Sequence, residues 1–168
     1  MNLTELNRGD FEKVHIELLK CCGSSKWVNN ILAARPFSSA AHLNVQAEKI
    51  WLELDKDDYL EAFAAHPKIG ESKAPVKAKN TENWTRKEQA GMLNAADPLK
   101  LELEKLNRKY EKKFGYIFII CATGKSGREM LDLLQQRLEN IPLIELRIAA
   151  SEQNKITNLR LKKMLADA

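Results

Sequence analysis

No stretch of this chain approaches 18 consecutive apolar residues, so the sequence predicts no membrane-spanning helix. Its opening, MNLTELNRGDFEK, lacks the apolar core of a secretory signal, and its end, KKMLADA, is not a peroxisomal address. A cytoplasmic location and no membrane partner are the expectation. Cysteine is scarce: Cys21, Cys22 and Cys121. An adjacent pair plus one distant residue does not describe a disulfide framework, so all three are expected to be reduced. Histidine is as scarce, at His15, His42 and His66, and no HExxH, CxxC or His/Cys cluster offers a metal site. No glycine-rich dinucleotide fingerprint follows a strand. TGKSG, Thr123 to Gly127, falls short of a phosphate loop because Ile119 stands where the first glycine is required. No metal and no cofactor are expected. An excess of charge of one sign is also missing. Lys and Arg number 27 against 23 acids, a net +4, with both signs mixed along the helices. That argues against a nucleic-acid partner and suits a small anionic ligand.

What is present is helical periodicity. The 168 residues fit one domain, with an ordinary 44% hydrophobic and 30% charged composition. Asp10 is placed to cap a helix bearing Phe11, Val14, Leu18 and Cys22, ended by Gly23. Ser24 or Ser25 caps the next, with Trp27 and Ile31. After ARPFSS, Leu43, Ala47, Ile50, Trp51 and Leu54 share one face. A short helix from near Asp57 or Asp58 carries Tyr59, Leu60 and Phe63. It is expected to end at His66, because Pro67 disfavours helical geometry in the residue before it. From Lys68 to Asn83 there is no periodicity, and a long surface loop is expected. TRKE, Thr85 to Glu88, reads as a capping box that opens a helix. Asp97 and Pro98 open another, striped by Leu99, Leu103, Leu106, Tyr110 and Phe114. SGRE, Ser126 to Glu129, is a second capping box, before Met130, Leu133, Leu134 and Leu138. Pro142 begins the last helix, with Ile144, Ile148, Ile156 and Leu159 as its apolar residues. FGYIFIIC is the single strand-like run, and one strand cannot form a sheet. The expected fold is all-α: one domain over residues 1–168, about eight helices, and a buried extended segment near 114–122.

His66 is the sharpest candidate for chemistry. Imidazole exchanges protons near neutrality, and a helix C-terminus favours its charged form. A capping histidine would occupy the same place. Glu88 has a structural role in the capping box, yet a helix N-terminus also offers unpaired N–H groups to an anion or an amide-rich ligand, with Thr85 and Gln89 beside it. The extended segment's backbone groups must bond to something, and a ligand is one possibility. Lys68, Lys73, Lys77, Lys79, Arg86 and Lys87 crowd the intervening stretch. Solvated charge explains most of them, and their density also suits an anionic substrate.

Four motifs in one order carry a resemblance: ARPFSS at Ala34–Ser39, AHPKIGE at Ala65–Glu71, WTRKEQAGM at Trp84–Met92, and KFGYIFIICATGKSGREML at Lys113–Leu131. Over about Asn7 to Met164 the chain resembles the OHCU decarboxylase family, which acts on 2-oxo-4-hydroxy-4-carboxy-5-ureidoimidazoline in urate degradation. The resemblance implies an all-helical homodimer that needs no cofactor and forms (S)-allantoin and carbon dioxide. It puts the catalytic histidine on His66 and the ligand-touching proline on Pro67. It puts the catalytic and binding glutamate on Glu88, with Thr85, Arg86, Lys87 and Gln89 in the same binding stretch. The substrate-facing backbone falls on Phe118, Ile119, Ile120, Cys121 and Ala122. Thr85 replaces the usual serine and keeps the hydroxyl. Lys125 stands where the family often has arginine, keeping the charge without the bidentate fork, and receives no catalytic role. A non-enzymatic helical module for a purine-derived anion is the competing reading; it needs Glu88 and Gln89 but not His66.

Overall fold

The computed structural model describes residues 1–70, 81–93 and 95–166. Among them are nine α-helices, against about eight expected, and no strand. The helices are α1 (Leu3–Arg8), α2 (Phe11–Cys21), α3 (Ser25–Ala33), α4 (Ala40–Leu52), α5 (Lys56–Ala64), α6 (Glu82–Glu88), α7 (Asp97–Phe114), α8 (Gly127–Leu138) and α9 (Pro142–Ala166). A 3₁₀ turn, Ala90–Met92, follows α6. The expected loop lysines Lys73, Lys77 and Lys79 lie outside the described residues. Packing divides the chain into two compact units, residues 1–62 with 154–168, and residues 63–153.

In the first unit the caps follow the sequence. Asp10 accepts from the amide of Lys13, and Ser24 from that of Trp27. Helix α1 has no counterpart in the periodic reading; Asn2 and Glu5 close a capping box around it. Six residues are too few to show a period, and the cap substitutes for one. Trp27, Trp51, Leu18, Ile31 and Leu43 form the core, with Trp27 donating to the carbonyl of Ala47 at 3.3 Å. Asn7 clamps the backbone of Phe37 with two bonds, donating to its carbonyl and accepting from its amide. The Arg35–Pro36 peptide is cis.

In the second unit the structure corrects three boundaries. Helix α5 ends at Ala64, and His66 lies two residues beyond, its amide bonded to the carbonyl of Phe63. Helix α6 opens at Glu82, not at Thr85, so TRKE is no capping box. Nothing between Glu82 and Thr85 interrupts a helix, and the geometry extends back over those residues. Thr85 is therefore interior and Glu88 is the last helical residue. Helix α7 takes Ala96 as its cap, with Asp97 its first residue and Pro98 in its first turn, where a missing N–H costs nothing. The Ser126–Glu129 capping box forms as expected.

The strand-like run is the buried extended segment it was expected to be. Phe118 to Ala122 are at most 7% exposed. Tyr110 packs its ring edge-on against both Tyr116 and Phe118, and Phe63 lies 5.2 Å from Tyr116. Helix α9 departs from expectation. Ile144 is 41% exposed, while Glu145, Glu152 and Gln153 are buried. Its inward face carries polar groups at helical spacing, and those groups hold the extended segment and His66.

Candidate functional site

Helix α5 stops before a rigid Pro67, which is buried, so His66 is held at the start of a non-helical turn rather than within the helix. The turn is pinned from two sides. Asn107 of α7 donates to the carbonyl of Ile69 at 3.3 Å, and the amide of Gly70 donates to Oε1 of Gln89 at 3.1 Å. Gly70 has φ +81°, a conformation that favours glycine. The imidazole itself is fixed by α9: its Nε2 lies 2.6 Å from Oε1 of Gln153, a side chain with no exposure.

A second group surrounds Cys121. Its amide donates to Oε1 of Glu152 at 3.3 Å, and its carbonyl accepts from Nζ of Lys125 at 2.7 Å. Glu88 and Glu152 are both 8% exposed. Burial pushes the Cys121 thiol above its ordinary range; Lys125 and the Thr123 amide pull it back, and Glu152 and Glu88 add to the rise. A raised thiol is a poor nucleophile.

The rest of the segment is held by a buried ion pair. Arg137 of α8 donates from Nη1 to the carbonyl of Ile119 at 2.6 Å and lies 4.4 Å over the Phe118 ring. Its Nε and Nη2 reach Oε1 of Glu145 at 2.7 and 2.6 Å. Tyr110 donates to the same oxygen and Asn140 to Oε2, so Glu145 is satisfied in the dry interior. The Ile119, Cys121 and Ala122 carbonyls and the Cys121 amide are thus engaged inside the protein.

The structure thus places His66, Pro67, Glu88, Gln89 and residues 118–122 in one compact unit. Adjacent α9 residues reach the two polar groups, Gln153 holding His66 and Glu152 holding Cys121. The Thr85 hydroxyl is buried and makes no hydrogen bond among the described residues. Arg86 and Lys87 are exposed on the last turn of α6. The side chains of Phe118 and Ile119 belong to the core. Sequence reasoning missed Arg137, Glu145, Glu152 and Gln153. For the three on α9 the signal available was polar residues at i, i+7 and i+8, one helical face, where an apolar face was expected. Among the described residues no group of three or more His, Cys, Asp or Glu side chains is arranged to hold a metal ion, and no helix is long and apolar enough to cross a membrane.

Comparison with known proteins places this geometry among relatives. The family model for OHCU decarboxylase matches residues 7–162. A uric acid degradation bifunctional protein, TTL, of Arabidopsis thaliana is 41% identical over 149 residues, covering 88% of this chain and 46% of that one. A 2-oxo-4-hydroxy-4-carboxy-5-ureidoimidazoline decarboxylase of Amia calva is 28% identical, covering 80% of this chain and 77% of its own. The chain thus spans less than half of the bifunctional plant protein. A crystal structure of OHCU decarboxylase obtained in the presence of (S)-allantoin superposes with a TM-score of 0.77 at 38% identity, covering 90% of this chain and 98% of that one.

Proposed function

The chain belongs to the OHCU decarboxylase family, and from that premise we propose that it converts 2-oxo-4-hydroxy-4-carboxy-5-ureidoimidazoline to (S)-allantoin and carbon dioxide, as a carbon–carbon lyase. The substrate's carboxylate sits on a ring carbon next to a C=N bond. When the bond to the carboxylate breaks, its electron pair forms a ring C=C and the imine electrons move to nitrogen, which takes a proton. The hydroxyl then loses its proton as its carbon becomes a carbonyl, and the former imine carbon gains a proton on one face. One proton is consumed overall. The substrate is its own electron sink, so the proposed reaction needs no metal or organic cofactor.

His66 exchanges a proton on the hydroxyl or carboxyl side of the ring. Glu88, with Gln89 and the Thr85 hydroxyl, holds the ureido and ring N–H groups and so fixes which face is presented. Pro67 packs against the ring. The amides of Ile120 and Ala122 meet the oxygen on which negative charge develops. Arg86 and Lys87 act at a distance, attracting the anion. The observation that carries this reading is the ring of His66 held by a fully buried amide, in the same unit as a nearly buried Glu88.

The test exploits the substrate's instability. It is generated in situ from urate by the upstream enzymes, and optical activity is followed at the allantoin stage. Rapid appearance of one enantiomer with this protein, lost in His66→Asn, is expected. Slow racemic product at the uncatalysed rate would sink the assignment. A His66→Asn protein as fast as wild type would leave a binding module in its place. The family model runs across both compact units, which supports treating residues 1–168 as a single functional domain. A cytoplasmic homodimer is the proposed working form. Exposed Ile141, Leu143 and Ile144, at the start of α9, offer apolar surface for a second copy. Light scattering at micromolar concentration checks the dimer.

A further inference from the structure

We infer that Gln153 is a positioning residue for the proposed reaction: it fixes the tautomer and orientation of His66 while keeping a negative charge away from the ring. An amide oxygen only accepts, so the Nε2 that faces Oε1 of Gln153 at 2.6 Å carries its proton. In the neutral ring the lone pair is then on Nδ1, and the nitrogen that accepts a proton is decided by α9 rather than by the substrate. Gln153 is fully buried, so its orientation is held by packing and does not fluctuate with solvent.

The neighbouring residue sharpens the point. Glu152 and Gln153 are consecutive, both buried, and both spend an Oε1 on the site. The carboxylate faces a backbone amide and the neutral amide faces the imidazole. The reverse arrangement would put an anion on His66, hold the ring protonated well above neutrality, and remove it as a base. General acid–base catalysis works best when the group's pKa lies near the working pH. Glutamine at 153 holds the ring without adding a charge beside it. Among the described residues, Glu88 on α6, Glu152 on α9 and Lys125 before α8 carry charge around Cys121, and Lys68 pairs with Glu111 at 2.9 Å. All are common to the variants below, so a change at 153 isolates its own effect.

Two near-isosteric variants of the full chain test this inference, which rests on the proposed decarboxylation. Gln153→Met removes the acceptor and keeps the volume. It should lower kcat by about tenfold to a hundredfold with KM within about threefold. In ¹⁵N-histidine NMR spectra, with His66 assigned by its loss in His66→Asn, the share of the Nε2–H tautomer should fall toward that of a free imidazole. Gln153→Glu keeps the acceptor and adds the charge. It should retain the tautomer and move the ring's midpoint, and the matching limb of the kcat/KM profile, upward by about one to three pH units. Thermal melts confirm folding, and Gln153→Met alone decides the matter if the buried glutamate does not fold. In an active protein, an unchanged tautomer and kcat in Gln153→Met, or an unshifted midpoint in Gln153→Glu, overturns the positioning role by itself. If the wild type forms no (S)-allantoin, the reaction is wrong and the role falls with it.

Discussion

Replacing Arg137 with methionine removes the cation that joins α8, α9 and the extended segment, and leaves the chain's volume there almost unchanged. Glu145, with no exposure, loses its ion pair and keeps only the bonds from Tyr110 and Asn140. The Ile119 carbonyl loses its donor. Removing one member of a buried pair costs about 3–5 kcal/mol, because the other charge stays buried without compensation. The two surviving donors put the expected loss near the lower end, about 3 kcal/mol. For a chain of this length each kcal/mol lowers Tm by about 2–4 °C, so a fall of about 6–12 °C is expected. Urea melts read by linear extrapolation should show the same loss with an unchanged slope. The double variant Arg137→Met/Glu145→Leu removes both charges together. It should cost less than the sum of the two single changes, by an interaction energy of about 1–3 kcal/mol. The reasoning fails if Arg137→Met costs under about 1 kcal/mol, or if the double variant equals the sum. Because Arg137 also holds the main chain next to Ile120, kcat should fall in the single variant even where it is fully folded.

Three further outcomes are expected. Glu88→Gln should lower kcat/KM for (S)-allantoin formation by about a hundredfold while leaving Tm within about 2 °C, if the charge acts on the substrate as proposed; a large loss of stability would make Glu88 structural. Stability should fall as pH rises above about 9. Burial pushes the Cys22 thiol up to about 12 from an ordinary 9.0, and Cys21 is raised too, so above 9 the unfolded chain releases protons that the folded one retains. Cys22→Ala should reduce that slope by about 1.4 kcal/mol per pH unit between pH 9 and 12, read from urea melts; an unaltered slope refutes the cause. Gly91→Ala should lower Tm and kcat together, because a Cβ at Gly91 would run into the backbone carbonyl of Lys125, which cannot rotate away, and push the 3₁₀ turn off Lys125, which pairs with Cys121. A variant with wild-type activity and Tm would show that this contact does not set the site.

Much of the molecule is written locally. Asp10, Ser24 and Ser126 announce helix starts because a cap needs only its own side chain and an amide three residues on. Pro67 marks the end of α5 to within two residues because its constraint is covalent. The motif around Thr85 misled for the complementary reason. A Thr–Glu pair at capping spacing is also a pair one helical turn apart, and only the path of the preceding residues says which it is.

By itself the sequence determined the helical class, the buried run toward the end of FGYIFIIC, the absence of an apolar span and the candidacy of His66, Glu88 and Gln89. Periodicity, caps and ordered motifs are short-range properties, and a chain carries them without folding. Tertiary structure alone decided which face of α9 turns inward, and hence that Gln153 holds His66 and Glu152 holds Cys121 across sequence separations of 87 and 31 residues. It alone paired Arg137 with Glu145 beneath the extended segment. A polar side chain on a helix reads as solvent-facing until the partners that satisfy it are brought to it, and those partners lie on other elements.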